Sequence, residues 1–180
     1  MYKNCSTEES AKRQRQLENC LLELMLSRSY DHITISDICE RVNISRKSFY
    51  RYFSSKDGCL FAMIDHAIID GAAYYMVGPY GAPPKDALLL FFRYWISKTD
   101  LLRALYNNRM STWIIERLIR YILKEEPEFC QQLGGEAKAK DKTMFIISGL
   151  FALLISRLHD KEPQTPEQLA QIVMEIMREP

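Results

Sequence analysis

The sequence has 180 residues, of which 47% are hydrophobic, and a formal net charge of +1. This apolar content suffices for a folded core, either in one domain or in a small module joined to a larger one. Because the net charge is so small, any affinity for nucleic acid must come from a local basic patch. The longest apolar run, residues 144–155, is shorter than the span of about 18 residues that crosses a membrane, so we expect no bilayer anchor.

The histidines and cysteines give no sign of a catalytic or metal site. The three histidines lie far apart, and the sequence has no G-x-S-x-G motif and no glycine-rich phosphate loop. We therefore expect no enzyme, no metal and no cofactor. Five cysteines without a C-x-x-C pair or a secretory leader predict reduced thiols in a cytoplasmic protein. A cysteine redox switch is an alternative that nothing in the sequence supports.

Helical periodicity runs through the whole chain. Apolar residues recur three and four positions apart in almost every segment, which predicts an all-α protein with eight or nine helices. Capping boxes are predicted at Ser6-Thr7-Glu8-Glu9, at Thr34 and at Thr165, and loops at residues 78–84 and at Gly134-Gly135. The predicted helices cover residues 6–29, 34–42, 45–54, 55–78, 84–98, 100–108, 111–126, 136–160 and 165 onward.

The first three helices have the arrangement of a helix-turn-helix, because only three or four residues separate the second helix from the third. In this motif the later helix enters the DNA major groove. Phe49 and Phe53 lie four positions apart, so we expect them to pack with Ile44 on the second helix. The other faces then carry Arg46, Lys47, Tyr50 and Arg51. Taken alone, these basic residues would more simply form a solvated helix face.

Residues 34–65 read TISDICERVNISRKSFYRYFSSKDGCLFAMID. This stretch resembles the DNA-binding signature of the TetR/AcrR family of transcriptional regulators, in which an [LF]-Y-x-[YH]-F recognition helix precedes a K-[DE] pair. Two positions depart from the family pattern. Asn43 stands where many members have glycine, and asparagine tolerates the left-handed conformation of such a turn. Arg46-Lys47 stands where many members have a small residue, which should give this chain its own sequence preference.

The resemblance implies an all-α protein with a helix-turn-helix DNA-binding domain in residues 1–55 and a helical effector-binding and dimerisation domain in residues 56–180. Tyr50, Lys56 and Thr34 resemble the family's phosphate contacts. Arg46 is the best candidate for a bidentate contact to guanine. Tyr52 could lie at the core edge or contact phosphate. The predicted DNA-binding residues are Thr34, Ser45, Arg46, Lys47, Ser48, Tyr50, Arg51 and Lys56.

Residues 60–130 are rich in aromatic residues and methionine, which can line an apolar pocket between helices. The family typically binds small effectors in this region, whereas a plain apolar core is the alternative for each single residue. The predicted ligand-binding residues are Phe92, Trp95, Tyr106, Met110 and Trp113.

The last two predicted helices have more apolar surface than one packing partner needs. The resemblance implies that they pair with their copies in a four-helix bundle, and ordinary core packing is the alternative. The predicted dimer-interface residues are Phe145, Ile147, Phe151, Leu154, Leu158, Leu169, Val173 and Ile176.

These expectations combine into one functional hypothesis. The protein is expected to be a cytoplasmic, homodimeric, ligand-responsive transcriptional regulator, a repressor that binds a palindromic double-stranded DNA operator and is released by a small apolar effector. The alternative is a helical partner-binding or sensor protein whose helix-turn-helix does not read DNA specifically.

Overall fold

A computed structural model describes residues 2, 3, 5, 7–76, 84–125 and 136–177. Within these ranges the chain forms nine α-helices, which confirms the all-α prediction, and one 3₁₀ turn at Tyr30–His32. An isolated antiparallel bridge joins Tyr2 to Phe53. The helices are α1 Glu8–Ser27, α2 Ile35–Arg41, α3 Arg46–Phe49, α4 Lys56–Met76, α5 Pro84–Ser97, α6 Thr99–Asn107, α7 Ser111–Glu125, α8 Glu136–Ser156 and α9 Pro166–Ile176.

The chain divides into two compact units. The first unit comprises Met1–Ala67 and Arg103–Ile114, and the second comprises Ile68–Leu102 and Ile115–Pro180. The first unit therefore contains α1, α2 and α3 together with the beginning of α4, the end of α6 and the beginning of α7. The domain boundary between residues 55 and 56 that the sequence suggested stays a prediction.

Two helices begin with the capping boxes that the sequence predicted. At α2 the Thr34 side chain accepts a hydrogen bond from the Asp37 backbone N–H, while the Asp37 carboxylate accepts one from the Thr34 backbone N–H. Thr165 and Gln168 make the same reciprocal pair at α9, with Pro166 at the first helical position. Each box satisfies two backbone donors that a helix start otherwise leaves unpaired.

The start of α1 and the end of α8 differ from the prediction. Thr7 caps α1, because its side chain accepts a hydrogen bond from the Ser10 backbone N–H at 3.2 Å. The capping box that we placed on Ser6 is therefore wrong by one residue, and Ser6 itself lies outside the described residues. The helix predicted over residues 136–160 ends at Ser156, and the chain continues there in tight turns. Helix ends commonly tighten in this way.

The end of α3 was also predicted too late. The α-helix ends at Phe49, and residues 50–53 continue as a tight turn in which the Tyr52 N–H donates to the Phe49 carbonyl at 3.0 Å. Shorter-range bonds of this kind satisfy the carbonyls that a helix end leaves free. Residues 78–83 of the loop predicted at 78–84 lie outside the described residues, as does the loop predicted at Gly134-Gly135, and Pro84 is the first residue of α5.

The first unit has an apolar core between α1, α2 and α3. Leu17, Leu21 and Met25 of α1 are at most 2% exposed, and Ile38 of α2 is fully buried. Their spacing along α1 follows the predicted apolar face. This core positions the segment that follows α2.

The second unit has an aromatic core. Phe91 and Trp95 of α5 contact Phe151 of α8, with ring centroids 5.6 and 4.9 Å apart. A Cβ atom at Gly71 would lie 2.7 Å from the Tyr94 ring, so only glycine lets α4 approach α5 this closely. None of the described helices is both long enough and apolar enough to cross a lipid bilayer.

Candidate nucleic-acid interface

Residues 46–53, which we name the reading segment, are held to the first unit by two phenylalanines. Phe49 is fully buried and Phe53 is 1% exposed, and their ring centroids lie 5.3 Å apart. This confirms the prediction that the two aromatic residues four positions apart are core residues. They set which face of the segment points outward.

The turn before the reading segment has the conformation that its sequence predicted. Asn43 has a φ of 55°, in the left-handed region where asparagine is tolerated better than most residues. The Ile44 N–H then donates to the Cys39 carbonyl at 2.9 Å, which closes the turn onto α2. Asn43 thus adopts the left-handed conformation that this turn requires.

Ser45 and Ser48 fix the start of α3. The Ser45 Oγ atom accepts a hydrogen bond from the Ser48 backbone N–H at 3.1 Å, and the two hydroxyl oxygens lie 3.0 Å apart. Ser45 is therefore the N-cap that the sequence predicted. Because the two hydroxyls contact each other, their first role is to hold this turn in place.

The exposed face of the reading segment is basic. Arg46, Lys47 and Arg51 are all exposed, and Tyr50 is 44% exposed with its ring edge-to-face against Phe49. No acidic residue occurs between positions 43 and 56 of the sequence. An exposed basic surface of this kind can neutralise phosphates or donate hydrogen bonds to guanine.

Thr34 has a carboxylate beside it. Its hydroxyl lies 2.9 Å from the Asp37 carboxylate, which also contacts Arg28 at 2.9 Å. The backbone and side-chain hydrogen bonds from Thr34, followed by the contact with Arg28, lower the pKa of Asp37. The start of α2 therefore carries an ionised acid, and a phosphate contact of Thr34 would have to share the hydroxyl with it.

Lys56 lies against the protein itself. Its Nζ atom donates to the backbone carbonyls of Tyr30 at 2.6 Å and Ile33 at 2.7 Å, and it lies 4.0 Å from the centre of the Tyr30 ring. The sequence suggested a phosphate contact here, and that role stays a prediction. The contacts with the 3₁₀ turn carried no sequence signal, because they join residues more than 20 positions apart.

An N-terminal stretch that the sequence left unassigned contacts the end of the reading segment. The Lys3 N–H donates to the Tyr52 carbonyl at 3.0 Å, and the Tyr2 hydroxyl donates to the Asp65 carboxylate at 2.8 Å. Tyr52 is half-buried, with its ring 6.3 Å from that of Phe53. The Tyr52 backbone therefore has a partner outside the reading segment.

The ligand-binding candidates divide between the two units. Phe92 and Trp95 belong to the second unit, where both are buried in the aromatic core. Tyr106, Met110 and Trp113 belong to the first unit, where the Trp113 ring lies 5.3 Å from Phe61 and Tyr106 is 45% exposed. Their role in binding a ligand stays a prediction.

The dimer-interface candidates are partly buried and partly exposed within one chain. Buried side chains are those of Ile147, Phe151, Leu154 and Leu169, and Leu158 and Val173 are half-buried. Phe145 is 83% and Ile176 66% exposed. Met144 and Met177, which belong to the apolar faces predicted for these two helices, are exposed as well. The larger exposed apolar side chains of α8 and α9 within one chain are therefore those of Met144, Phe145, Ile146, Ile176 and Met177, and the dimer interface stays a prediction.

The described cysteines are free thiols, at positions 5, 20, 39 and 59. Burial raises the pKa of the Cys20, Cys39 and Cys59 thiols, so these side chains stay protonated. Across the described ranges, no group of three or more histidine, cysteine or acidic side chains is placed to hold a metal ion.

Residues 21–63, which include the turn and the reading segment, match the family described as bacterial regulatory proteins, tetR family. The chain is also 35% identical over 81 residues to the HTH-type transcriptional regulator TcmR of Streptomyces glaucescens. That match covers 43% of this chain and about a third of the relative's length.

Solved structures of two regulators share the fold over nearly the whole chain. A TetR-family transcriptional regulator of Syntrophomonas wolfei aligns with a TM-score of 0.68 and 15% identity, over 93% of each chain. A TetR transcriptional regulator of Streptococcus agalactiae aligns with a TM-score of 0.67 and 17% identity, over 94% of this chain and 95% of the other. The family match covers the helix-turn-helix, and the rest of the chain has the fold of these regulators. Residues 21–63 of the chain therefore carry the helix-turn-helix region of the tetR family of bacterial regulatory proteins.

Proposed function

We propose that this protein is a ligand-responsive transcriptional regulator that binds a specific double-stranded DNA operator as a homodimer. One observation carries the proposal. The exposed face of the reading segment is basic and free of acid, while Phe49 and Phe53 hold that segment in the core. A short helix fixed in this way can enter the major groove and present side chains to base edges.

Within this proposal the residues of the reading segment have different roles in binding DNA. Arg46 lies in the first turn of α3, and its guanidinium can donate two parallel hydrogen bonds to one guanine. Lys47 and Arg51 are further candidates for base edges, and Tyr50 for a phosphate. Ser45 and Ser48 act mainly through the shape of the turn, because their hydroxyls contact each other.

The proposal includes a homodimer because a single short helix reads few base pairs. Dimers of helix-turn-helix proteins bind two half-sites about 34–36 Å apart, which predicts a palindromic operator. The exposed apolar side chains Met144, Phe145, Ile176 and Met177 support this part, since apolar patches on a monomer commonly mark an interface. The buried members of the predicted interface set would support it by holding α8 and α9 in place.

The proposal also includes a small apolar effector that releases the operator, which makes the protein a repressor. The aromatic residues of α5, with Phe92 and Trp95 among them, support this part because aromatic side chains commonly line ligand sites between helices. Release requires the effector to bind better to a conformation with low DNA affinity. A protein with this function works in the cytoplasm, where bacterial DNA lies.

Selection of double-stranded DNA from a randomised pool tests the proposal. We expect the wild-type protein to enrich a palindrome, and Arg46→Ala to lower the affinity for it about tenfold and relax the preference at one base pair of each half-site. Arg120→Ala is the matched control, because Arg120 is also exposed but lies on α7, away from the reading segment in sequence. We expect its affinity to equal that of the wild type.

Fluorescence anisotropy at several salt concentrations separates the two functional hypotheses. A specific regulator binds the enriched palindrome far more tightly than a shuffled duplex at every salt concentration. Equal affinity for both duplexes with a steep salt dependence would contradict the proposal. That outcome would favour a helical protein whose helix-turn-helix does not read sequence.

A further inference from the structure

Tyr30 lies in the 3₁₀ turn between α1 and α2, and its N–H, carbonyl and hydroxyl groups all form hydrogen bonds. Its side chain is buried, with 5% exposed. The hydroxyl donates to the Asp57 carboxylate at 2.6 Å, and the carbonyl accepts from the Lys56 ammonium at 2.6 Å. Both partners belong to the first turn of α4. One residue therefore ties the turn before α2 to the start of α4.

Lys56 extends these contacts to the beginning of α2. Its ammonium also donates to the Ile33 carbonyl at 2.7 Å, and Ile33 directly precedes Thr34, the N-cap of α2. Two backbone carbonyls and the face of the Tyr30 ring thus surround one cation. Carbonyl oxygens of a fixed turn hold an ammonium at a defined place.

Asn108 holds Tyr30 from a third element. Its side-chain oxygen accepts a hydrogen bond from the Tyr30 backbone N–H at 2.6 Å, and its amide nitrogen donates to the Ala104 carbonyl of α6 at 2.7 Å. Asn108 follows the last residue of α6 and is 78 positions from Tyr30. Because it bonds to the peptide group at one end of Tyr30, it limits how the Tyr30 carbonyl can turn relative to Lys56.

We propose that Tyr30 and Asn108 are positioning residues for operator binding, which act by holding the Lys56 ammonium against the carbonyl that precedes α2. This inference rests on the proposed function, because it concerns where the start of α2 and the start of α4 lie when the protein meets DNA. Phosphate contacts require both helix starts at set positions along one backbone. Loss of the Asn108 contact lets this geometry vary without removing any group that touches DNA.

A double-mutant cycle on operator affinity tests the inference. We expect Asn108→Ala to weaken binding about tenfold on the operator and by the same factor on a shuffled duplex, because it alters no base contact. The salt dependence should stay as in the wild type, since no phosphate contact is removed. In a protein that already carries Lys56→Met, the added Asn108→Ala should weaken binding by less than about twofold. In a protein that carries Arg51→Ala instead, Asn108→Ala should still weaken binding about tenfold.

Asn107→Ala is the matched control, since Asn107 is the same residue type one position earlier and is exposed. We expect it to bind the operator as the wild type does. All variants are compared at a temperature where circular dichroism shows them folded. Independent effects of Asn108→Ala and Lys56→Met, or wild-type affinity in Asn108→Ala, would overturn the inference while leaving the proposed function intact.

Amine acetylation read by mass spectrometry tests the same contacts without DNA. In the wild type, Lys56 should react more slowly than exposed Lys47, and in Asn108→Ala this protection should fall severalfold. Equal protection in both proteins would overturn the inference even if Lys56→Met does not fold. If the wild-type protein binds no duplex specifically, the proposed function fails, and the role in operator binding fails with it.

Discussion

Each unit of the molecule has its own characteristic kind of internal contact. In the first unit, partly buried hydrogen bonds join residues far apart in sequence, as between Tyr30 and Asn108 or between Glu18 and His66. In the second unit, the helices meet through aromatic rings, among them Phe91, Trp95 and Phe151. Hydrogen bonds depend on direction and fix angles, whereas apolar packing depends mainly on volume. Under the proposed function, the first kind of contact would fix the angle at which the reading segment meets DNA.

Phe151→Ala should have the largest effect, because the aromatic core depends on volume. Phe151 is fully buried against Phe91 and Trp95, so its truncation should lower the free energy of unfolding by about 3–5 kcal/mol. Urea denaturation followed by tryptophan fluorescence, to which Trp95 contributes, measures the loss. Phe145→Ala on the same helix is the control, because Phe145 is 83% exposed and should change the stability of the single chain by less than about 0.5 kcal/mol. A loss below about 1 kcal/mol in Phe151→Ala would mean that packing does not hold this unit.

His66→Ala tests the polar contacts of the first unit. The Glu18 carboxylate is 2% exposed and lies 2.9 Å from the His66 Nδ1 atom, with Arg15 farther away at 3.9 Å. The Nδ1 atom can donate a hydrogen bond to this buried carboxylate. Loss of this donor should lower the free energy of unfolding by about 2–3 kcal/mol, somewhat less than for a fully buried pair because His66 is one-fifth exposed.

Thermal and urea unfolding at neutral pH measure the effect of His66→Ala. His32→Ala is the matched control, because His32 is exposed in the 3₁₀ turn and should change stability by less than about 0.5 kcal/mol. If the two variants are equally stable, the pair between Glu18 and His66 does not hold α1 and α4 together.

Separation along the sequence explains which features could be predicted from it. The turn at Asn43, the caps at Thr34, Ser45 and Thr165, and the burial of Phe49 follow from residues within four positions of each other. Local spacing is sufficient for such features. The contacts of Lys56 with the 3₁₀ turn and of Asn108 with Tyr30 join distant residues, and only the fold brings them together.

The spacing of apolar residues also did not distinguish the side of α8 that packs within the chain from the side that is exposed. The predicted interface set contained Phe151, which packs on Trp95 within the chain, as well as Phe145, which is exposed. A helix that is apolar on most of its faces gives no periodic signal for the side that a neighbouring helix covers. The position of α5 decides which residues of α8 remain exposed, and that position depends on packing across residues far apart in sequence.

The smallest effect is expected at the start of α2, where Thr34→Ala should cost about 1 kcal/mol near neutral pH through the lost cap. Thr34 lowers the pKa of Asp37, so the ionised carboxylate stabilises the folded state above its ordinary pKa of 3.8, and this stabilisation is lost as the pH falls through the lowered value. The variant lacks part of this stabilisation. The stability curves of the two proteins should therefore approach each other below about pH 4, as urea denaturation from pH 3 to pH 7 would show.

Thr165→Ala, at the equivalent box of α9, is the matched control for that titration. The Gln168 side chain that completes this box does not titrate. The hydrogen bond from Arg93 is the main cause of the lowered pKa of the neighbouring Glu167, and Thr165→Ala leaves that bond in place. The cost of Thr165→Ala should again be about 1 kcal/mol, with a weaker dependence on pH than that of Thr34→Ala. Parallel curves for Thr34→Ala and the wild type down to pH 3 would contradict the contact between Thr34 and Asp37. The start of α2 would then be free to bind a phosphate without competition from that acid.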